Sequence, residues 1–536
     1  MRVLFLICLT ISILGCVSTD NNKNKSVEWA DYSAMAIAEH LNQGKVTSVE
    51  LVDYYLQRIQ TYDQSGPRIN SILALNPNAL EDAARLDAER QAGNVRSNLH
   101  GIPVLLKDNI ETLELPTTAG SLALSNNNTQ RDAPIVARLR QAGAIVLAKT
   151  NLSEWANFRS EDSVSGWSGV AGQTLNPHDL TRSACGSSSG SGAAMALRLA
   201  PLAVGTETNG SVICPSSMNG IVGYKPTVGM LSRTHIVPIS PTQDTAGPMT
   251  NSVADAALMA SVMAGYDSAD KATEEADNHV PVLAQVMQPR LDGIRIGVMR
   301  TAQGDKQSII DLFNNGLAEL EALGAELVEI TEVESTEGFG AASYNVLLTE
   351  FHHSLNEYLA AAAPEVENRS LESLIAFNSD NARELSVFDQ SIFEKSFASA
   401  DINSDEYKQN LALVRSATRE NGIDKLLAEH NVSLLVAPSY NPAFKIDTVY
   451  GDHGPWGWIG IGWMAAIAGY PHVTVPMGAV KDLPVGFSFI SGKWQDSVVL
   501  QAAFAYEQES NMLIKPKVLT TPNWQQRPDY LLPYKN

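Results

Sequence analysis

Two short segments concentrate glycine and small polar residues: Cys185-Gly-Ser-Ser-Ser-Gly-Ser-Gly192 and Gly205-Thr-Glu-Thr-Asn-Gly-Ser211. Serine offers a hydroxyl nucleophile once a base takes its proton, and glycine lets backbone N–H groups approach an anion closely. The first segment opens a hydrophobic helix, so its amides and the positive helix end face whatever lies there. Three chemistries fit this pattern: a phosphate cradle, a nucleophile elbow or a flexible linker. Against the cradle, no Lys-Ser/Thr follows the glycines, and Gly190-x-Gly192 lacks the third glycine of a dinucleotide fingerprint. Gly186-Ser187-Ser188-Ser189-Gly190 has the form of a G-x-S-x-G elbow. Gly/Ser tracts generate that form easily, however, and no HGGG-type oxyanion motif accompanies it. Against a linker, a helix and a strand follow without interruption.

A hydroxyl nucleophile needs a base. There are ten histidines, but none sits in a telling motif, and His235, His453 and His472 read as packing or loop residues. No H-E-x-x-H or Cys/His ligand spacing suggests a metal. Ser268-Ala-Asp-Lys271 and Ser379-Asp-Asn381 mimic two penicillin-binding motifs, but the third, K-T-G, is absent downstream, which makes them coincidence. Lys107 closes the apolar run Val104-Leu105-Leu106. A lysine there is ordinarily a solvated edge charge. To act as a base it must be desolvated, because at a reference pKa of ~10.4 only about one in 2,500 is neutral at pH 7. Alternation along the strand turns the adjacent Asp108 to the other face.

These residues need elements to hold them. Thr47-Ser48-Val49-Glu50 is a capping box opening a helix with an apolar stripe at Val49, Val52, Leu56 and Ile59. Helices are predicted over 78–92, 133–142, 191–200, 254–265, 306–323 and 461–468. Strands are predicted over 101–107, 144–148, 202–206, 294–299, 325–330, 432–437, 472–476 and 485–490. The alternation reads as α/β: a mixed twisted β-sheet covered by α-helices on both faces. Residues 330–430, rich in helix formers and acid, read as a helical insertion or flank.

Length alone, 536 residues with 44% apolar content, suggests about two to four domains. From residue 27 on there is no repeat, linker or charge block, which argues for a single large domain over 27–536. A formal charge of −21, from 59 acidic against 38 basic residues, repels phosphate backbones, so no nucleic-acid partner is expected. The N-terminus, MRVLFLICLTISILGC, carries one cation, an apolar run too short for a membrane span, and Gly15 before Cys16. Residues 1–15 therefore read as a signal peptide. Ile13-Leu14-Gly15-Cys16 resembles a lipobox that acylates Cys16, and residues 16–26 read as a lipid-anchored flexible tether. The expected location is the exported face of a membrane, with this anchor as the only membrane contact. In the body only Cys185 and Cys214 remain. Buried free thiols are the default expectation, with a disulfide left open.

From residue 27 to about 510 the sequence resembles the amidase signature family. The resemblance is carried in register by Gly101-Ile-Pro-Val-Leu-Leu-Lys107-Asp108, Gly186-Ser-Ser-Ser-Gly190, Gly205-Thr-Glu-Thr-Asn-Gly-Ser211, Gly220-Ile-Val-Gly-Tyr-Lys-Pro-Thr227 and Ala468-Gly-Tyr-Pro-His-Val-Thr-Val-Pro476. It implies a single amidase-signature domain with Ser211 as nucleophile, Ser187 as bridging serine and Lys107 as base. It also implies a cis peptide between Gly186 and Ser187, and an oxyanion hole from the amides around Thr208, Asn209, Gly210 and Ser211. Many members carry Gly at the position of Asn209. Ser188 is expected to support the network. No cofactor and no metal is implied.

Within the family, Cys185-Gly-Ser-Ser-Ser-Gly and Thr206-Glu-Thr-Asn-Gly-Ser-Val-Ile-Cys214 look most similar to members that remove ammonia from C-terminally amidated peptides. The implied partner is therefore a peptide or small-molecule amide, and the oligomeric state is left open. One rival is the A-type component of glutamyl-tRNA amidotransferase, opposed by the export signal and the negative charge. The other is a non-catalytic lipoprotein on the same fold, opposed by the intact Lys107, Ser187 and Ser211. The Trp-rich run Pro455 to Trp463 fits either an apolar substrate groove or core packing through Trp456, Trp458 and Trp463.

Overall fold

A computed structural model describes residues 27–453, 459–512 and 514–516. The leader, Cys16 and tether lie outside these residues, as do Trp456 and Trp458. Among the described residues no helix is long and apolar enough to cross a membrane.

The chain builds one mixed sheet of eleven strands. In chain order they are β1 (Ile72–Leu75), β2 (Pro103–Lys107), β3 (Ile145–Thr150), β4 (Leu202–Glu207), β5 (Val222–Lys225), β6 (Thr245–Thr250), β7 (Arg295–Met299), β8 (Glu326–Ile330), β9 (Leu434–Pro438), β10 (His472–Val480) and β11 (Leu483–Ile490). Across the sheet the order is β1-β3-β2-β4-β6-β5-β10-β11-β9-β7-β8. β3, β2 and β4 run parallel to one another, as do β9, β7 and β8; the remaining pairings are antiparallel. Every residue of β2, β3 and β4 is buried, as expected where helices cover both faces and the strands read as unbroken apolar runs.

Local sequence explains the flanking elements. Thr47 and Glu50 close the predicted capping box, the Glu50 amide donating to Thr47 Oγ1 at 3.1 Å and the Thr47 amide to Glu50 at 2.8 Å. The buried face of the helix Ser48–Arg58 holds Leu51, Val52 and Tyr55, continuing to Ile59 beyond its end, whereas Val49 and Leu56 are only half-buried. The stripe is thus turned from the predicted one, because Leu51, Tyr55 and Ile59 at i, i+4 spacing, with Val52 beside them, form the face that meets the core. The predicted insertion is a group of helices from Phe339–Ala360 to Asp424–Glu429. Its residues Phe351, Leu355, Leu371 and Phe393 pack with Leu124, Trp155 and Phe158 of the core, and this brings the insertion over the carboxyl ends of β2 and β4.

Candidate active site

Lys107 is the last residue of β2 and is wholly buried. Its Nζ donates to Ser187 Oγ at 2.8 Å, to Thr206 Oγ1 at 2.8 Å and to the Thr206 carbonyl at 3.3 Å. Among the described residues no carboxylate bonds it. Burial is the main influence on the amine and lowers its pKa to about 7, against the weaker opposing pull of Asp244 and Glu207. Both carboxylates are held elsewhere. Glu207 accepts the Val212 and Ile213 amides at 2.8 and 3.0 Å. Asp244, raised to about 6 chiefly by burial, accepts Thr208 Oγ1 at 2.5 Å and the Ile239 and Ser240 amides at 2.8 Å each. Asp108 lies on the other face and pairs with Lys149 at 2.9 Å. It therefore does not compete for Lys107.

The peptide bond between Gly186 and Ser187 is cis. A side chain at Gly186 would collide with the hydroxyls of Ser153 and Ser165, so the chain can pass here only as glycine. Ser188 Oγ donates to the Thr206 carbonyl at 3.1 Å and accepts its amide at 3.2 Å, which fixes the residue that in turn holds Lys107. The Ser188 amide donates to the Ser211 carbonyl at 3.1 Å and so ties the two Gly/Ser segments together. Ser211 sits in the turn between β4 and the helix Ile213–Asn219 and lines a cavity of about 570 Å³ with Gly186, Thr208, Asn209 and Gly210. Among the described residues its hydroxyl makes no hydrogen bond, and the amides of residues 208–211 donate to no backbone acceptor. Gly210 has φ +83°, and a Cβ there would strike the Tyr440 hydroxyl.

A buried lysine bonded to Ser187 thus belongs to the same tied pair of Gly/Ser segments as Ser211, which opens into a cavity flanked by uncommitted amides. The family model described as Amidase matches residues 50–500. A probable amidase of Arabidopsis thaliana is 35% identical over 491 residues, covering 89% of this chain and 90% of its own. The chain belongs to the amidase signature family. The X-ray structure of peptide amidase from Stenotrophomonas maltophilia superposes with a TM-score of 0.87 at 41% identity, covering 92% of this chain and all of that one. The A-type component of glutamyl-tRNA(Gln) amidotransferase from Acinetobacter baumannii is 31% identical over 504 residues, covering 92% of this chain and 98% of its own. The protein is accordingly an amidase, a hydrolase acting on amides.

Some features of this amidase site were not foreseen in the sequence. Cys185 and Cys214 are joined in a disulfide with Cα atoms 5.9 Å apart, which corrects the expectation of free thiols. Sequence separation carries no distance, and the two serine segments meet only once β4 and its neighbours are paired. Thr206 was read as part of a motif, but its hydroxyl holds Lys107 and also accepts Asn109 Nδ2 at 2.9 Å. Tyr440 and Asp452 reach the cavity from the distant 439–453 stretch. No local pattern marks them. Trp463 lines the cavity, half open to solvent, and its ring lies against Phe339. His472 is buried and bonded to Ser488 at 2.7 Å, while His235 lines an adjoining cavity of about 500 Å³. Among the described residues no histidine bonds Lys107, Ser187 or Ser211.

Proposed function

We propose that this amidase hydrolyses carboxamides through an acyl-enzyme on Ser211, with Ser187 as the bridging hydroxyl and Lys107 as the base. The observation that carries this is the 2.8 Å bond from a buried Lys107 to Ser187, with the amine poised near neutrality at about 7. A base titrating near the working pH has the best balance of proton affinity and availability.

In the proposed reaction Ser211 Oγ attacks the carboxamide carbon. Its proton passes to Ser187 as the Ser187 proton passes to Lys107. The amides of residues 208–211 receive the oxyanion, a role in which a single donor is typically worth roughly 10²- to 10³-fold in rate. Protonated Lys107 returns the proton through Ser187 to the leaving nitrogen, the C–N bond breaks and ammonia departs. Water then attacks the ester by the same relay and frees the acid. The open Ser211 hydroxyl fits an enzyme without substrate, since catalytic hydrogen bonds often tighten only in the substrate complex.

The substrate class is proposed as peptide amides and related small amides, supported by the 41% identity to a peptide amidase. Similarity to the amidotransferase component is lower, at 31%, and the charge of −21 suits a tRNA partner poorly. The test is turnover of peptide amides, aryl amides and fatty acid amides by the enzyme and by Ser211→Ala. The variant is expected to lose about 10³-fold or more in kcat. Equal turnover by the variant removes the nucleophile assignment, and activity confined to fatty amides removes the peptide preference.

A further inference from the structure

Among the described residues lining the cavity at Ser211, only one carries a carboxylate, Asp452. Phe158, Ile239, Leu347, Ile459, Trp463 and the Cys185–Cys214 disulfide make much of the remaining wall apolar. Asp452 is half-buried. Its Oδ1 accepts the Ser165 amide at 3.0 Å, and the Ser165 hydroxyl lies against the same carboxylate. Ser165 Oγ is in turn held by Asn157 Nδ2 at 3.0 Å. Among the described residues no lysine or arginine pairs with Asp452, and the nearest cationic influence is the neighbouring His453. Burial pushes the carboxyl up to about 6, so it is largely ionised at pH 7.

A lone carboxylate in a largely apolar chamber is costly to keep, because it is partly desolvated without a counter-charge. Its cost is offset when a cation enters, and an ion pair formed in such a setting is screened far less than one at the surface. We infer that Asp452 selects amide substrates bearing an ammonium or guanidinium group, pairing with that cation while the carboxamide carbon faces Ser211. This rests on the amidase reading above and adds which amides the site prefers. Asp452 is here a specificity-determining residue and takes no part in proton transfer. The surrounding charge of −21 adds a long-range pull in the same direction.

The competing account is that Asp452 only anchors its loop, since its amide also donates to the Ser163 carbonyl at 3.3 Å. Asp452→Asn separates the two, because it keeps an oxygen for the Ser165 amide and removes the charge. The experiment measures kcat/KM at pH 7 for leucinamide against N-acetyl-leucinamide, and for N-acetyl-argininamide against N-acetyl-citrullinamide, with the enzyme and the variant. The first pair isolates an α-ammonium and the second a basic side chain.

Asp452→Asn is expected to lower kcat/KM about tenfold or more for the charged member of at least one pair, mainly through KM. The neutral members should stay within about twofold. Charged-to-neutral ratios unchanged by the substitution overturn the inference, as does an equal loss on all four substrates. Labelling of Ser211 by a neutral fluorophosphonate keeps the two readings apart. An enzyme that neither labels nor hydrolyses any of the four sinks the amidase mechanism itself, whereas one that labels and hydrolyses normally with unaltered ratios sinks only the role of Asp452.

Discussion

Lys107 and Lys149 show how little separates the proposed base from a structural cation. Both follow apolar strand residues, both are fully buried, and Lys149 lies opposite Leu106 in the β2–β3 pairing. Lys149 bonds Asp108 at 2.9 Å and Thr117 Oγ1 at 3.0 Å, so its charge is matched. Among the described residues Lys107 bonds hydroxyls and a carbonyl but no carboxylate, so desolvation wins and the amine loses its proton near pH 7. We predict that kcat/KM rises with pH through a midpoint near 7 and then levels. Lys107→Met should be inactive from pH 5 to 10, not merely shifted in optimum. The same substitution should stabilise the fold. The native pKa lies below the ordinary 10.5, so between about 7 and 10.5 the unfolded chain holds a proton that the native state lacks. Wild-type stability therefore rises with pH across that window, and the burial cost is complete below it. Thermal melts should show the variant higher by about 2–5 °C at pH 7, the gap closing toward pH 10. A variant with a lower Tm at both pH values would contradict the neutral amine.

At the scale of elements, the turn between β4 and the helix Ile213–Asn219 carries the proposed nucleophile and the proposed oxyanion amides. Gly210 at φ +83° lets the chain reverse beneath the Tyr440 hydroxyl, which leaves the amides of residues 208–211 pointing away from any backbone acceptor. Gly210→Ala adds a Cβ where Tyr440 stands and imposes a left-handed conformation on a residue that resists it. We expect kcat to fall about 10²-fold, with KM changed little and the circular dichroism spectrum intact. A variant retaining most of its kcat would mean that these amides do not stabilise the transition state. The sequence made this turn visible through its glycines, and the apolar runs of β2, β3 and β4 announced the strands that frame it. Other strands were hidden. β6, Thr-Ala-Gly-Pro-Met-Thr, carries a glycine and a proline that argue against an inner strand. It is tolerated between β4 and β5 because β5 pairs with it only at Met249 and Thr250, beyond Pro248. β1 has four residues, too few for a period to show. The cavity wall from Tyr440 and Asp452 was hidden for another reason, since chain neighbours say nothing about contacts across hundreds of residues.

At the scale of the whole molecule, the helical insertion must be fastened to the sheet, because the helix Phe339–Ala360 contributes Leu347 to the cavity. The fastening includes a buried ion cluster. Arg159 Nη1 bonds Glu154 at 2.6 Å and Glu384 at 3.2 Å, all three side chains having no solvent exposure. Glu384, from the insertion, also accepts the Leu122 amide at 2.6 Å, and Glu154 accepts the Gly169 amide at 2.6 Å. The Glu154 carboxyl is held well above the usual range, burial being the main cause and Arg159 the chief force opposing it. Arg383 also exerts an electrostatic pull on both acids, but removing the cation bonded to them typically costs about 3–5 kcal/mol. Arg159→Met should therefore lower Tm by several degrees and raise KM, as the wall carrying Leu347 loosens. The pH dependence follows from the sign of the shift. A carboxyl with a raised native pKa binds its proton more tightly folded than unfolded, so stability falls as pH climbs above the ordinary value near 4.5. Without Arg159 that pKa rises further and the falling range widens. Melts at pH 5 and pH 8 should thus show a Tm deficit that is small at pH 5 and larger at pH 8. A deficit independent of pH would mean that Arg159 holds the insertion by packing against Phe388 and Trp167 and not by its charge.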